Sequence, residues 1–450
     1  MIVILYVMDS LRADFLSCYG YEKETSPCMD SLAQEGVLFT NAFSQSTWTR
    51  PSAASLLSST YPSVHGMRTS GDMFPPTLHT LPELLKAKGF KTIALSAMAG
   101  ISPHFGFGKG VDRFVEIYKQ QAVIEKERVL KANKAPIPAS EDMNELLFPL
   151  LRDAGETDTF FFLWSVDTHN PYFHRDSKMA RFCSPFREIF WSGDVSRMHS
   201  KNEILRLKAI YEDMIYYNDY HLGKLIERLK ELHLFDDALI ILTGDHGESF
   251  GEHSANGHGG APFDEQINIP LIMKFPHSQF RGRIDGLVQH IDLTPTILET
   301  AGVSNGFGFQ GKSLFPLLKE GKSVNDFVFI ETQIKKKFPK YTALRTLEYK
   351  YILIGPGDFT LQRSLFKTLS PLRYVFGDRK LLFHLGRDPA ELINIRRRER
   401  QVAEGFQSCV ETIRRDCEGR SQNMKKEKRP ETAGDEEVSR QLRALGYFDE

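Results

Sequence analysis

Residues 46–57 read Ser-Thr-Trp-Thr-Arg-Pro-Ser-Ala-Ala-Ser-Leu-Leu, and they predict a helix whose first turn carries a hydroxyl group. Pro51 suits a first helical turn, and residues 52–57 continue the helix. Thr49 then lies at the helix entrance, where the dipole and the free backbone N–H groups favour an oxyanion or a bound phosphate. An ordinary helix cap is the alternative interpretation of Thr49, and this window alone supports both equally.

Short apolar runs alternate with helical patterns on both sides of this segment. That alternation is typical of a large, mostly parallel sheet flanked by helices, so the predicted fold class is α/β. Apolar residues three and four apart at 81–88 and 205–232 predict crossover helices, the second about seven turns long. The predicted strands lie at 2–7, 37–43, 92–98, 159–165, 238–242 and 271–275.

Closely spaced strand candidates after residue 305 predict a small C-terminal antiparallel α+β subdomain. A helix is predicted at 399–417, and residues 420–437 are charged and poor in apolar groups, as in a solvated linker. We expect a catalytic domain at 1–305, the small sheet with its helix at 306–418, and a charged linker with a terminal helix at 419–450. The strand candidates are 327–331, 341–346, 350–354 and 381–385.

Two stretches of the larger domain, 118–145 and 173–204, fit neither a strand nor a crossover helix. Insertions beside a site often form lids or substrate walls, and a solvated excursion is the alternative. Any substrate specificity would come from these stretches, in which we recognise no motif.

The balance of charges gives no reason to expect nucleic acid or an anionic membrane as a partner. Lys and Arg total 57 against 58 Asp and Glu, a net charge of -1. The first apolar run is too short to span a bilayer and lacks a basic n-region, so it predicts a strand. Five scattered cysteines without CxxC spacing suggest neither a disulfide framework nor a zinc cluster, and we expect a cytoplasmic protein.

Polar side chains follow three of the predicted strands directly. Asp9 follows the first strand, Asp167 to Asn170 follow the strand at 159–165, and Asp245 with His246 follows the strand ending at 242. Ligands bind beyond the carboxyl ends of parallel strands, so we expect these groups to converge. Each alone is more often a cap or turn residue, but three together favour a site.

Asp245 and His246 are adjacent and lie between Gly244 and Gly247, a spacing that suits a tight loop around one ion. Mixed carboxylate and imidazole ligands favour zinc or manganese over calcium, which prefers oxygen ligands alone. The sequence therefore predicts one divalent metal ion as cofactor, Mn²⁺ or Zn²⁺ before Ca²⁺.

With these motifs in order, most of residues 1–395 resembles the sulfatase-like branch of the alkaline phosphatase superfamily. Asp9 with residues 11–20 resembles the opening metal-binding segment of that family. TRPSA at 49–53, together with PSVHG at 62–66, resembles its nucleophile motif. Its second metal segment resembles residues 245–265. Markers of the domain end and of the C-terminal sheet resemble residues 290–296 and 388–394.

Several departures from the family pattern bear on mechanism. Sulfatases oxidise a motif Cys or Ser to formylglycine, and Thr49 cannot give that aldehyde. Ala53 replaces the motif Arg, Ser10 replaces a second Asp, and His258 stands where a Lys is common. These changes resemble superfamily members that use a Thr nucleophile on phosphoryl groups.

The resemblance implies a role for each candidate residue. Asp9, Asp245, His246 and the Thr49 oxygen would bind the metal ion, and Thr49 would be the nucleophile. His169 and His258 would contact the substrate and stabilise charge or protonate the leaving oxygen. Arg50 is a weaker candidate for substrate binding. His65 and His290 are expected to be structural, and for His253 a structural role and an auxiliary metal ligand are equally supported.

The expected function is metal-dependent hydrolysis of a small-molecule, lipid-linked or sugar-linked anionic ester, with phosphate or phosphonate esters favoured over sulfate. A genuine sulfuric ester hydrolase of the arylsulfatase type is one alternative. A phosphotransferase and a catalytically silent metal-binding homologue are the others. The sequence indicates no oligomeric state.

Overall fold

The computed structural model describes residues 1–125, 137–183, 200–303, 306–356, 380–422 and 436–445. The larger unit is built on an eight-stranded sheet, with a short hairpin, β7 and β8, beside it. The strands of this unit are β1 (Ile2–Met8), β2 (Val37–Phe43), β3 (Lys91–Ser96), β4 (Arg113–Glu116), β5 (Thr159–Ser165), β6 (Leu239–Gly244), β7 (Ser249–Phe250), β8 (Asn256–Gly257), β9 (Asn268–Lys274) and β10 (Gly282–Gln289).

The large sheet has the strand order β10-β2-β9-β6-β1-β5-β3-β4. Neighbouring strands are parallel except at β9, which runs antiparallel to both β2 and β6. All residues of β1 are buried, as expected of a strand covered on both faces. The register pairs Met8 of β1 with Ser165 of β5 and with Gly244 of β6, so three parallel strands end at one level.

The predicted α/β class is confirmed, and all six predicted strands of the larger domain are present. The pattern missed β4 and β10, which are the two edge strands of the sheet. An edge strand is partly solvated and carries charged residues, as Arg113 and Arg283 show, so its apolar signal is weak.

Two groups of helices flank the large sheet. On one side α7 packs against α1 and α6, and on the other α9 packs against α2 and α4. No helix in the described ranges is long and apolar enough to cross a membrane. The helices of this unit are α1 (Pro27–Glu35), α2 (Thr49–Ser58), α3 (Pro62–His65), α4 (Leu81–Ala87), α5 (Gln121–Glu125), α6 (Ser140–Arg152), α7 (Lys201–Glu231), α8 (Asp264–Ile267) and α9 (Leu293–Thr300).

The C-terminal part contains the predicted antiparallel sheet, in the order β11-β12-β13-β14. One face packs on apolar residues of the larger unit, among them Phe43 and Phe263, and α11 packs on β12. The elements are α10 (Phe315–Glu320), β11 (Val328–Thr332), β12 (Tyr341–Arg345), β13 (Tyr349–Ile354), β14 (Lys380–His384), α11 (Arg400–Gln422) and α12 (Glu436–Ala444).

The predicted domain boundaries stay predictions. The boundary after residue 305 falls on residues 304–305, which lie outside the described ranges, as does most of the predicted linker. Much of the two proposed insertions at 118–145 and 173–204, namely residues 126–136 and 184–199, also lies outside the described ranges.

Gly311 brings the chain that follows the larger sheet against the end of α2. A Cβ at this position would lie 1.9 Å from the Ile291 carbonyl oxygen, so only glycine allows the approach. The Gly311 N–H donates to the Ser59 hydroxyl over 3.2 Å, and the Gln310 N–H donates to the Ser59 carbonyl over 2.8 Å. These bonds hold the C-terminal cap of α2 in place.

Gly311→Ala is expected to lower the free energy of unfolding by about 2 kcal/mol or more, since the backbone must move to admit the methyl group. Gly405→Ala is the matched control, because Gly405 lies within α11 with open space around its Cα and alanine favours helices by roughly 0.5–1 kcal/mol. Denaturant unfolding of both variants measures the contrast. Equal stability of the two variants would contradict the close approach at Gly311.

Candidate active site

Asp9, Asp245 and His246 meet at the carboxyl ends of β1 and β6. Their ligand atoms all lie within 4.8 Å of one another, and the three side chains are fully buried. The strand register explains this convergence, because Asp9 follows Met8 and Asp245 follows its partner Gly244. The structure thus brings together three of the four protein side chains that the sequence predicted as metal ligands.

The orientation of His246 leaves one ring nitrogen free to act as a ligand. Nδ1 lies 2.8 Å from the Gly247 carbonyl oxygen, which only accepts, so Nδ1 carries the proton. Burial lowers the pKa of His246 to about 3, which keeps the imidazole neutral. The lone pair on Nε2 faces Asp245 Oδ2 at 3.2 Å and Asp9 Oδ1 at 3.7 Å. Three acceptors face one another across a short gap.

Neighbouring N–H and O–H groups hold the two carboxylates in place. The Ser10 N–H donates to Asp245 Oδ1 over 2.9 Å, and the Ser10 hydroxyl donates to Asp9 Oδ1 over 3.1 Å. Ser10 adopts a left-handed backbone with φ 60°, which turns its N–H toward Asp245. Trp164 donates its indole N–H to Asp9 Oδ2 over 3.0 Å. Ser10, which departs from the family pattern, therefore supports the acids on either side of it.

The donor set fits a divalent cation. Among the described residues, Asp245 Oδ2 has no hydrogen-bond partner although it is buried. Burial and the nearby Asp9 raise the pKa of Asp245, since two carboxylates out of water repel each other. A cation between them would relieve that repulsion, and two carboxylates with one imidazole suit Mn²⁺ or Zn²⁺.

Thr49 is the first residue of α2, and its hydroxyl points toward the same cluster. Thr49 Oγ1 lies 3.3 Å from His246 Nε2, and the side chain is almost fully buried. The helix is tied to the β6 loop through Ser52, whose hydroxyl donates to the Asp245 carbonyl over 2.6 Å. The fourth predicted ligand therefore lies where the sequence placed it.

His169 and His258 lie beside the acidic cluster, and their surroundings shift the pKa values of the two rings in opposite directions. The His258 ring centroid lies 4.6 Å from that of His246 and 5.0 Å from that of His169. Burial lowers the pKa of His169. Burial also disfavours protonated His258, but the carboxylates of Glu248 and Asp9 outweigh it and raise the pKa of His258. Environments that push two pKa values apart suit an acid and a base.

Arg50 is buried beside Thr49, with its guanidinium directed at a loop. Nη2 donates to the Ser70 carbonyl over 2.5 Å, and Nη1 donates to the Asp72 carbonyl over 3.3 Å. The guanidinium also lies over the Phe105 ring, 4.2 Å from its centroid. Substrate binding by Arg50 stays a prediction.

Asp167 follows β5, next to β1, yet its carboxylate turns away from the cluster. Oδ2 accepts from the Ser140 N–H and from Asn218 Nδ2 over 3.0 and 2.9 Å, and Arg175 Nε lies 3.3 Å from Oδ1. The Ser140 hydroxyl also donates to it. Asp167 therefore supports the fold beneath the site.

The remaining candidate histidines, His65, His253 and His290, each have partners outside the acidic cluster. His65 Nε2 lies 3.1 Å from the Ser55 hydroxyl, and His290 lies between Ser52 and Thr243. His253 lies 2.8 Å from Glu265 and is not in the acidic cluster. The ring of His253 stacks on Phe263 at 3.6 Å, so its role is structural.

Sequence reasoning missed the contacts that three side chains make at the site. Trp164 was predicted only as part of a strand, although a buried indole N–H needs an acceptor. Thr168 donates its hydroxyl to the Asp9 carbonyl over 2.5 Å. Glu248 lies 3.2 Å from His258 Nδ1, across the β7–β8 hairpin. The Trp164 and Thr168 contacts join different strands of the large sheet, so no local pattern reveals them.

Family models match nearly the whole described chain. The model described as "Sulfatase" matches residues 2–303, which is more than half of the chain. The chain belongs to the sulfatase family. A second model, described as "N-sulphoglucosamine sulphohydrolase, C-terminal", matches residues 261–415 and so includes the small sheet. The predicted resemblance is confirmed, and with it an ester hydrolase class.

Relatives of this sulfatase-family chain include both sulfatases and phosphorus-ester enzymes. Arylsulfatase K of Rattus norvegicus is 23% identical over 437 residues, with 87% of this chain and 74% of that protein covered. The multifunctional alkaline phosphatase superfamily protein PehA of Trinickia caryophylli is 39% identical over 124 residues, 27% of this chain and 24% of that protein. The solved phosphonate monoester hydrolase of Agrobacterium radiobacter has a TM-score of 0.72 at 20% identity, covering 92% of this chain and 95% of that one.

Addition of Mn²⁺ or Zn²⁺ is expected to raise the melting temperature, because an ion that binds only the folded state stabilises it by about 2.7 kcal/mol at one hundred times its Kd. Asp245→Asn should abolish most of this shift. Asp167→Asn removes a buried carboxylate one strand away and should keep the shift, although it destabilises the metal-free fold. Thermal melts with and without each ion measure this, and a shift that survives Asp245→Asn would place the ion elsewhere.

The second metal segment is held by an ion-pair cluster around Arg12. Arg12 Nη1 donates to the Glu248 carbonyl over 2.8 Å and pairs with Glu252 at 3.2 Å, and Lys208 pairs with the same carboxylate at 2.9 Å. Burial would raise the pKa of Glu252, but Arg12 and Lys208 lower it to about 2. This carboxylate therefore stabilises the folded state when ionised.

Glu252→Gln should lower the free energy of unfolding at pH 7 by up to about 3 kcal/mol, since one pKa unit corresponds to about 1.4 kcal/mol. The folded pKa lies below the ordinary value of 4.5, so the contribution is full above pH 4.5 and is lost as the pH falls toward 2. Urea unfolding of the wild-type protein and of Glu252→Gln between pH 2 and pH 7 measures the difference in the free energy of unfolding. Glu227→Gln, on an exposed ion pair with Lys224, is the control and should change little.

Proposed function

We propose that this chain is a metal-dependent hydrolase that cleaves phosphate or phosphonate esters with Thr49 as its nucleophile. The observation that carries the proposal is the position of Thr49 Oγ1, 3.3 Å from His246 Nε2 at the edge of the Asp9–Asp245 cluster. A divalent ion held by Asp9, Asp245, His246 and the Thr49 oxygen would lower the pKa of the hydroxyl, so that its proton passes to water, and would polarise a substrate oxygen.

The proposed reaction has two displacements at phosphorus. The deprotonated Thr49 oxygen bonds to phosphorus in line as the bond to the leaving oxygen breaks, and protonated His258 gives its proton to that oxygen. Water then attacks phosphorus as its bond to the Thr49 oxygen breaks, neutral His258 takes a proton from the attacking water, and the Thr49 oxygen takes a proton from solvent. The carboxylates of Glu248 and Asp9 raise the pKa of His258 and so favour the protonated ring that the first step uses.

Neutral His169 suits a second task in the same site. Its Nδ1 lies 2.5 Å from the Asn170 carbonyl oxygen, so Nδ1 carries the proton and Nε2 is an acceptor. An acceptor beside His258 would orient the attacking water or the leaving alcohol by a hydrogen bond. We assign substrate binding to His169 on this basis.

The chemistry of threonine favours phosphorus over sulfur. Formylglycine can expel sulfate by collapse to an aldehyde, whereas a sulfated threonine needs direct attack of water on a hindered ester. A phosphothreonine can be resolved by in-line displacement. A sulfuric ester hydrolase is the second candidate, favoured by the family match and by the similarity to arylsulfatase K.

The substrate is proposed as a small-molecule, lipid-linked or sugar-linked anionic ester, and the cell compartment as the cytoplasm. The small sheet matches a model from a sulfohydrolase that is named for an amino sugar, which supports a sugar-linked ester among these. The nearly neutral net charge supports binding of a local anion rather than a polyanion.

A panel of para-nitrophenyl esters, each assayed with Mn²⁺ or Zn²⁺, tests the reaction. The panel comprises para-nitrophenyl phosphate, bis-para-nitrophenyl phosphate, para-nitrophenyl phenylphosphonate and para-nitrophenyl sulfate. We expect turnover of a phosphorus ester, at least about a hundredfold loss in kcat for Thr49→Ala, and residual activity for Thr49→Ser, because a missing nucleophile removes the covalent path. Thr300→Ala, on the far end of α9 with its hydroxyl bonded to the Thr296 carbonyl, is the control.

Preferred turnover of the sulfate ester, with a rate that Thr49→Ala leaves intact, would favour the sulfuric ester hydrolase and reject the threonine nucleophile. Metal binding without turnover of any ester would favour a silent homologue. A product transferred to added glycerol instead of water would indicate a phosphotransferase.

A further inference from the structure

The terminal helix α12 lies outside both matched family models, which end at residues 303 and 415. Its apolar face is nevertheless buried: Val438 and Leu442 form a cluster with Ala99 and Tyr118, and Phe105 packs against that cluster. Leu445, directly after the helix, joins the main core. The helix is therefore seated on the chain that follows β3, at the same edge of the sheet as the candidate active site.

Gln441 makes the specific part of this contact. It is 1% exposed, and its side-chain amide pairs with the backbone of the loop: Oε1 accepts from the Ala99 N–H and Nε2 donates to the Ala97 carbonyl, each over 2.5 Å. An amide that meets one donor and one acceptor of the same backbone segment fixes both position and orientation. We define the site loop as residues 97–105.

The site loop in turn packs against Arg50, next to Thr49. The Phe105 ring covers the guanidinium at 4.2 Å, and a Cβ on Gly100 would lie 3.8 Å from Arg50 Cγ. The Ala97 N–H also donates to the Trp164 carbonyl over 2.9 Å. Trp164 is the residue whose indole holds Asp9. One loop thus connects α12 to both sides of the cluster.

We propose that Gln441 is a positioning residue for anion binding, acting through the site loop to hold Arg50 and the start of α2 against the anion at Thr49. The proposal rests on the proposed function, since that function places the anion there. Loss of the two amide bonds leaves the loop backbone at 97 and 99 without these partners in a buried place. The site loop then shifts, and with it Phe105 and the Arg50 guanidinium that its ring covers.

The test compares Gln441→Met, which keeps the volume but loses both bonds, with Gln407→Met as the control. Gln407 on α11 also makes one bond as donor, to Glu411, and one as acceptor, from Lys380, but far from the site loop in sequence and contacts. The measurements are the Kd of inorganic phosphate for the Mn²⁺-loaded protein, KM and kcat for the hydrolysed ester, and amide hydrogen exchange of residues 97–105.

For Gln441→Met we expect a rise of about three- to tenfold in the phosphate Kd and in KM, with kcat within about twofold, since two hydrogen bonds act through a neighbouring loop. Exchange at Ala99 should accelerate. Gln407→Met should change none of these. Gln441→Leu, which also loses both bonds and carries no charge, should give the same shifts, and it replaces Gln441→Met if that variant does not fold.

Faster exchange at Ala99 with an unchanged phosphate Kd would overturn the proposal and leave α12 as a purely structural element. Unchanged amide hydrogen exchange at Ala99 in Gln441→Met would also overturn the proposal, because Gln441 would then not hold the site loop. A wild-type chain that binds phosphate but hydrolyses no ester would reject the proposed function alone, because the phosphate Kd still reports whether Gln441 positions the site.

Discussion

Two carboxylates buried side by side, Asp9 and Asp245, set the constraint on which the rest of this site depends. Removal of an ion from water costs several kcal/mol, and a second like charge nearby adds to that cost. Ser10 and Trp164 donate hydrogen bonds to these carboxylates, and the His246 backbone N–H donates to Asp245 Oδ1 over 2.9 Å. These bonds fix the geometry without cancelling the charge. The arrangement is stable only with a proton or a cation, and the neutral imidazole of His246 makes a cation the better partner.

Much of this arrangement could be predicted from sequence, because parallel strands place their carboxyl ends together. Asp9 and Asp245 follow buried strands that are neighbours in the sheet, so convergence required only the class of fold. Asp167 satisfies the same rule and lies one strand away, but Ser140, Asn218 and Arg175 bind its carboxylate elsewhere. A strand end thus predicts position along the sheet edge and leaves the direction of the side chain to tertiary contacts.

The histidines show the same limit. His169, His246 and His258 gather at the site, whereas His65, His253 and His290 serve the packing around it, and nothing in local spacing separates the two sets. The partner of each ring decides its role: a backbone carbonyl for His246 and His169, the Glu248 carboxylate for His258. The terminal helix that the sequence predicted is present as α12, but its contacts with Ala99 and Tyr118 depend on residues distant in the chain. The edge strands β4 and β10 were missed because their exposed, charged residues weaken the apolar pattern.

The small antiparallel sheet has a further meaning for how this protein can be divided. Phe43, Phe263 and Leu287 of the larger unit fill the apolar layer under one face of that sheet, and Tyr61 and Ile291 join the layer on the other face with α11. The larger unit has its own core, whereas both faces of the small sheet are completed by residues from outside that sheet. Cleavage between them would expose two complementary apolar surfaces, each prone to self-association. The small sheet therefore depends on the larger unit to bury its apolar faces, and the two family models that match the chain overlap at residues 261–303 and do not mark two independent folding units.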